Sequence, residues 1–236
     1  MTREHATKPD GILYFIGGQL LFEHHNGQGG VVRKCLSPDA ARQAFTRQRT
    51  DSGWLSPHTI RHGENERGPW VLQRYEPAAY RLILEDPLPV QGQSMPLHTL
   101  QVWLPGMVFL GIQKRYFLWT YRTWKQQATT LYHAPVPNVD TKGQICYGQL
   151  RPPIAAVETI DQAWTLFWNS PFNRDLASDK SRQYPDCILT LLATLHQHEL
   201  AQLAPYPESD LKRSPITMEA ILKELTTTHE EERDAS

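Results

Sequence analysis

TLQVWLPGMVFLGIQKRYFLWTY, residues 99–121, is the stretch on which the fold turns. Its residues are largely apolar, β-branched or aromatic, the kinds that suit a pleated surface with neighbours on both sides. Only Pro105-Gly106 and Gln113-Lys114 interrupt it. Interruptions this short leave no room for a crossover connection, so the successive runs are predicted to pair as antiparallel strands. Upstream, WVLQRYE (70–76) and AYRLILE (79–85) have the same character. Pro77 separates them from each other, and the Pro- and Gly-rich segment 87–96 separates them from the later runs. Together the runs predict a β-meander, with 99–104 and 107–112 taken together as its third member. Trp103, Phe109, Tyr116, Phe117, Trp119 and Tyr121 are then core and sheet-face residues, the usual filling of such a sheet, in preference to a platform for stacking bases.

Working outward, ILYFI (12–16) and QLLFE (19–23) flank Gly17-Gly18, a diglycine that supplies the positive φ angles of a two-residue hairpin turn. A second turn signal over 26–30 leads into VVRKC (31–35), and Ser37-Pro38-Asp39 reads as an N-cap with proline in the first helical turn, opening a helix to about residue 47. Residues 1–48 are read as an N-terminal hairpin and helix of the same domain. The segment 49–69, rich in Gly, Ser, Pro and charge, is expected to be a loop. After Arg122 the chain becomes irregular, and then Val157, Ile160, Trp164 and Phe167 recur at helical spacing. Further helices are predicted over 185–203 and 217–225, with 70–205 as the core and 206–236 as a last helix and frayed tail. Antiparallel strands, then an irregular segment, then helices specify the α+β class.

Composition narrows the function. The 24 basic and 25 acidic residues leave a net charge of -1, so no surplus of cations is present to attract nucleic acid. The most apolar windows are broken well short of the ~20 residues that cross a bilayer, and the N-terminal residues do not read as a secretory signal. A soluble, cytoplasmic protein with no membrane or nucleic-acid partner is expected. Cys35, Cys146 and Cys187 are odd in number and widely spaced, which speaks against a disulfide framework or structural zinc. Neither His24-His25 nor His196 with His198 is completed by clustered carboxylates, so neither a metal nor a cofactor is expected. Cys35 and Cys187 lie in apolar surroundings along the chain, which suits buried, inert thiols. Cys146 lies among small and polar residues and is the candidate reactive thiol.

That cysteine closes LYHAPVPNVDTKGQICYGQL, residues 131–150. From Pro137 onward this segment resembles the one that follows the sheet in ubiquitin-conjugating enzymes, where a His-Pro-Asn motif precedes Gly-x-Ile-Cys. Pro137, Asn138, Gly143 and Ile145 match, and Cys146 falls eight positions after the asparagine. With LYHAP before it and FWNSPFNRDLA (167–177) after it, the chain resembles prokaryotic ubiquitin-conjugating-like family D, the subgroup that includes the B proteins of PRTRC systems.

The resemblance implies a ubiquitin-conjugating-like fold with an added N-terminal hairpin, and a transferase in which Cys146 takes a ubiquitin-like protein as a thioester and passes it to an amine. It implies as partners a ubiquitin-like protein, a ThiF-type activating enzyme and a JAB-type metallopeptidase. Transthiolation requires an accessible thiol that ionises enough to attack an activated carbonyl. Lys142 and Arg151 are candidates to favour the thiolate. Asn138 is the candidate donor to the oxyanion of aminolysis, or a turn residue capping its own loop. Val136 departs from the pattern by standing where the motif histidine would hold the loop. His133 is either its replacement or an ordinary loop residue. Two other readings are a non-catalytic module that docks the ubiquitin-like protein, and a cysteine hydrolase using His98 or His133 as base.

Overall fold

The computed structural model describes residues 11–17, 19–25, 30–38, 55–89, 95–196 and 203–226. The chain divides into two compact units, Met1–Gly53 and Trp54–Ser236.

In the first unit β1 (Gly11–Ile16), β2 (Gln19–His25) and β3 (Val31–Leu36) form an antiparallel sheet in that order. Ile16 faces Gln19 and Gly17 has φ +56°, so the expected hairpin is present with Gly17 in its turn; Gly18 lies outside the described residues. Cys35 corrects an expectation: it is exposed. Strand alternation puts it on the same face as Arg33, away from its chain neighbours Lys34 and Leu36, and hydropathy along the chain does not report that. The helix expected from Ser37 onward lies, after Pro38, outside the described residues.

The second unit is mixed α+β, its sheets mostly antiparallel. One sheet has the order β10-β9-β8-β5-β4, a second the order β11-β6-β7. Its strands are β4 (Thr59–Asn65), β5 (Gly68–Tyr75), β6 (Ala78–Leu88), β7 (Leu97–Leu104), β8 (Gly106–Ile112), β9 (Arg115–Tyr121), β10 (Tyr132–His133) and β11 (Pro171–Phe172). The helices among the described residues are α1 (Ile160–Asn169), α2 (Ile188–Leu195) and α3 (Met218–Thr226).

The predicted meander is present but its members differ. β5 and β6, read from sequence as neighbours, are two halves of one bent strand, and β7 and β8 are two halves of its partner. The register runs unbroken across the bend: Tyr75 faces Met107 and Ala78 faces Leu104. Pro77 and Pro105 sit at the break, where each lacks the N–H a ladder bond would use, so the ribbon bends there and its halves enter different sheets. The fourth strand of the meander comes from the segment expected to be loop: Thr59–Asn65 pairs with β5 through a turn ending at Gly68, φ +104°.

β8 is buried along its whole length because both faces of its sheet are covered. On one face Phe109, Tyr116 and Leu118 meet α1 and α2 in the main core; on the other Val108, Leu110 and Trp119 meet Met218, Ile221 and Leu225 of α3. α1 spans the bend of the ribbon, its Trp164 ring 3.7 Å from that of Tyr75 and its Trp168 ring 4.2 Å from that of Tyr80. Phe109, Tyr116, Trp119 and Tyr121 are buried as expected, whereas Trp103 is 36% exposed. No helix among the described residues is long and apolar enough to cross a membrane.

Candidate active site

The segment 138–146 folds into a small hairpin against the open edge of β9. Asp140 makes its turn. The Asp140 carboxylate accepts the backbone N–H groups of Lys142 and Gln144, each at 2.8 Å, and the Asp140 carbonyl accepts that of Gly143 at 3.0 Å. Asn, Asp and Gly are the residues such a turn uses, because their side chains or their freedom in φ substitute for ladder bonds. The returning limb then runs along β9: Leu118 donates to the Gly143 carbonyl at 2.7 Å and Ile145 donates to the Tyr116 carbonyl at 2.9 Å. Val139 bridges Ile145, and the Cys146 N–H closes the hairpin on the Asn138 carbonyl at 2.8 Å.

Gly143 is required for two reasons. Its φ is +91°, and a β-carbon there would lie 2.4 Å from the buried Trp119 indole. Gly143→Ala is therefore expected to lose about 1–2 kcal/mol to backbone strain and about 1–3 kcal/mol to overpacking. A urea melt with unchanged slope and a midpoint shift worth about 2–5 kcal/mol would show it; a shift below about 0.5 kcal/mol would contradict this account.

Asn138 has left-handed backbone, φ +60°, and is 8% exposed. Its N–H donates to the Asp175 carbonyl at 3.1 Å, and its side-chain amide donates to the Pro171 carbonyl at 3.0 Å. The hairpin is thus tied to the segment following α1. Tyr147 ties the other side, its hydroxyl donating to the Ala163 carbonyl of α1 at 3.0 Å and its ring standing edge-on to Tyr116 and Phe167. Between these anchors Cys146 is exposed. It lines a cleft of about 360 Å³ together with Asn138, Asp175, Glu85, Ser170 and Asn173.

Of the residues singled out from sequence, Cys146 and Asn138 come together in this cleft, and Gly143 shapes the turn behind it. Val136 is fully buried in the apolar core. Pro137 precedes Asn138 and is buried. His133 is elsewhere: it is buried on β10, with Nδ1 3.1 Å from the Asp179 carbonyl, and it opens on a separate cleft with Thr141, Lys212 and Ser214. Burial lowers its pKa, with Lys180 and Lys212 acting the same way against the Asp179 carbonyl, so it is neutral near pH 7. His98 is exposed on β7. No histidine lines the Cys146 cleft among the described residues, so the pair a cysteine hydrolase would need is not assembled there.

Lys142 does not line the cleft either; it faces a groove of about 590 Å³ with Arg115, Phe117 and Trp119. Arg151 is exposed. His196 accepts the Gln101 N–H on Nδ1 at 3.0 Å, while His198 lies outside the described residues. Among the described residues no group of three or more His, Cys, Asp or Glu is placed to hold a metal ion.

Asp175, Pro171 and Asn173 were not named as site residues from sequence, although all three lie within FWNSPFNRDLA, the stretch whose resemblance marked it out. Glu85, at the far end of the bent ribbon's first strand, carried no signal of proximity at all.

The family model described as Prokaryotic E2 family D matches residues 34–214, more than half of the chain. No curated protein and no solved structure matches the chain.

Proposed function

The chain belongs to prokaryotic E2 family D, and from that membership we propose that it is a ubiquitin-conjugating-like transferase whose Cys146 carries a ubiquitin-like protein as a thioester. The observation that carries this reading is the placement of Cys146: an exposed thiol in a cleft, on a hairpin whose backbone is fixed by the Cys146–Asn138 and Ile145–Tyr116 hydrogen bonds. The mixed α+β unit, with mostly antiparallel sheets followed by this hairpin and then by α1 and α2, is compatible with a ubiquitin-conjugating-like fold.

In the first step the Cys146 thiolate attacks the carbonyl of a thioester presented by a ThiF-type activating enzyme. A new S–C bond forms, the old one breaks, and the activating enzyme's thiolate leaves. In the second step a neutral amine adds to the same carbonyl. The oxyanion collapses, the C–S bond breaks, Cys146 leaves as thiolate and the amine gives up a proton. Asp175 and Glu85 are the carboxylates lining the cleft that can take this proton. One amide N–H of Asn138 goes to the Pro171 carbonyl, and Asn138 lines the same cleft as Cys146, which suits its second amide N–H to meet the oxyanion.

The test is incubation of the protein with a ubiquitin-like protein, its ThiF-type activating enzyme and ATP, run on non-reducing and reducing gels. A DTT-sensitive adduct is expected. If the activating enzyme is charged and no adduct forms, the protein is instead a module that docks the ubiquitin-like protein.

A further inference from the structure

Lys180 lies in the polar stretch SDKSRQ, residues 178–183, a setting in which a lysine is ordinarily solvated. Its side chain is instead fully buried. The ammonium donates to the main-chain carbonyl of Val139, and to that of Asp140 at 3.2 Å. Neighbouring Asp179 directs its carboxylate to Lys212. Burial pushes the Lys180 pKa down to about 8, with Asp140 and Asp179 opposing.

An interior ammonium costs several kcal/mol of lost hydration before its hydrogen bonds are counted. A methionine would fill the same space without that cost, so the donors of Lys180 must be performing a task. Both of its acceptors belong to the Cys146 hairpin. Val139 is the residue that bridges Ile145, and Asp140 is the residue whose carboxylate and carbonyl close the turn. Val136, two residues before Asn138, packs in the apolar core and has no side-chain hydrogen bond to give.

We infer that Lys180 is the positioning residue of the Cys146 hairpin, holding the Val139 and Asp140 carbonyls so that the thiol is presented in the geometry acyl transfer requires. This rests on the reading of Cys146 as the thioester carrier. Lys180 acts through the loop and does not itself touch the acyl group.

Single-turnover charging by pre-charged activating enzyme, compared for wild type, Lys180→Met and Lys180→Gln, tests it. The saturating rate is expected to fall about 10- to 100-fold in Lys180→Met and less in Lys180→Gln, whose amide can still serve one carbonyl. The half-saturating concentration of activating enzyme should stay within about twofold, because docking is untouched. Hydrogen exchange should quicken in a peptide spanning 138–146 and at Leu118, whose N–H donates to the Gly143 carbonyl, and not in β5 or β8. An unchanged rate in a folded Lys180→Met, a rise in half-saturation that accounts for the loss, or global unfolding of both variants would overturn the inference. If wild type itself fails to charge, the carrier reading falls, and hydrogen exchange alone decides about Lys180: quickening of 138–146 that leaves β5 and β8 unchanged upholds its role and none overturns it.

Discussion

Cys146→Ala is expected to abolish the DTT-sensitive adduct completely while leaving non-covalent binding of the ubiquitin-like protein within about threefold of wild type. The asymmetry follows from where the thiol sits. Cys146 is exposed, and it is its backbone N–H that helps close the hairpin, on the Asn138 carbonyl. Removing the sulfur therefore takes away the nucleophile and leaves the loop bonded as before. Cys146→Ser separates chemistry from shape further. A hydroxyl in place of the thiol gives an oxygen ester, which resists DTT and yields to hydroxide, so any adduct should change its sensitivity along with its yield. Cys35 is also exposed, so Cys35→Ala belongs beside these variants and should charge normally. An adduct that survives Cys146→Ala and is lost in Cys35→Ala would relocate the acceptor thiol to the first unit.

Asn138→Gly is expected to slow transfer of the acyl group to an amine by about 10²- to 10³-fold, the usual cost of one oxyanion donor. Formation of the thioester should fall far less. Glycine is the informative substitution because it accepts the +60° φ without strain, whereas alanine would add a backbone penalty to the loss of the amide. The amide also holds the Pro171 carbonyl, so a purely structural role is the competing account. That account predicts that charging and discharge fall by the same factor, since both then suffer from one loosened loop. Measuring charging by single turnover, and discharge of the purified thioester onto a chosen amine, distinguishes the two. Equal losses would assign Asn138 to the loop alone.

How much of this was legible beforehand differs from residue to residue, for physical reasons. Gly17-Gly18 and the 3.6-residue recurrence of Ile160, Trp164 and Phe167 are local signals, and the hairpin and helix they predict are present. β4 was missed because TIRHGEN is polar and largely exposed, an edge strand that shows no apolar alternation. The bend at Pro77 was taken for a reversal because proline interrupts pairing in either case. Whether the chain then turns back or runs on is decided by the partner strand, and Pro105 lies opposite. Cys146 and Asn138 could be singled out because the hairpin bringing them together spans only the residues between them. Asp175 and Glu85 reach the cleft from separate elements, and Lys180 reads as a surface lysine until the chain is folded around it.

The unbroken register of the bent ribbon limits how such a chain can change in length. Side chains in a strand alternate faces with a period of two, so one residue gained or lost at Glu76-Pro77, without a matching change at Pro105, would turn the side chains of β6 over relative to β7 as far as the register shift that follows Ile83. Leu82 would exchange the core for solvent, and Arg81 and Ile83 would be driven inward. The connection after Leu88 carries no such constraint, because lengthening it alters only the entropy of closing a loop, about 0.6 kcal/mol for each doubling. Insertions and deletions among related chains should therefore collect between β6 and β7 and avoid the two prolines, and a tag or binding peptide grafted into this protein belongs there too.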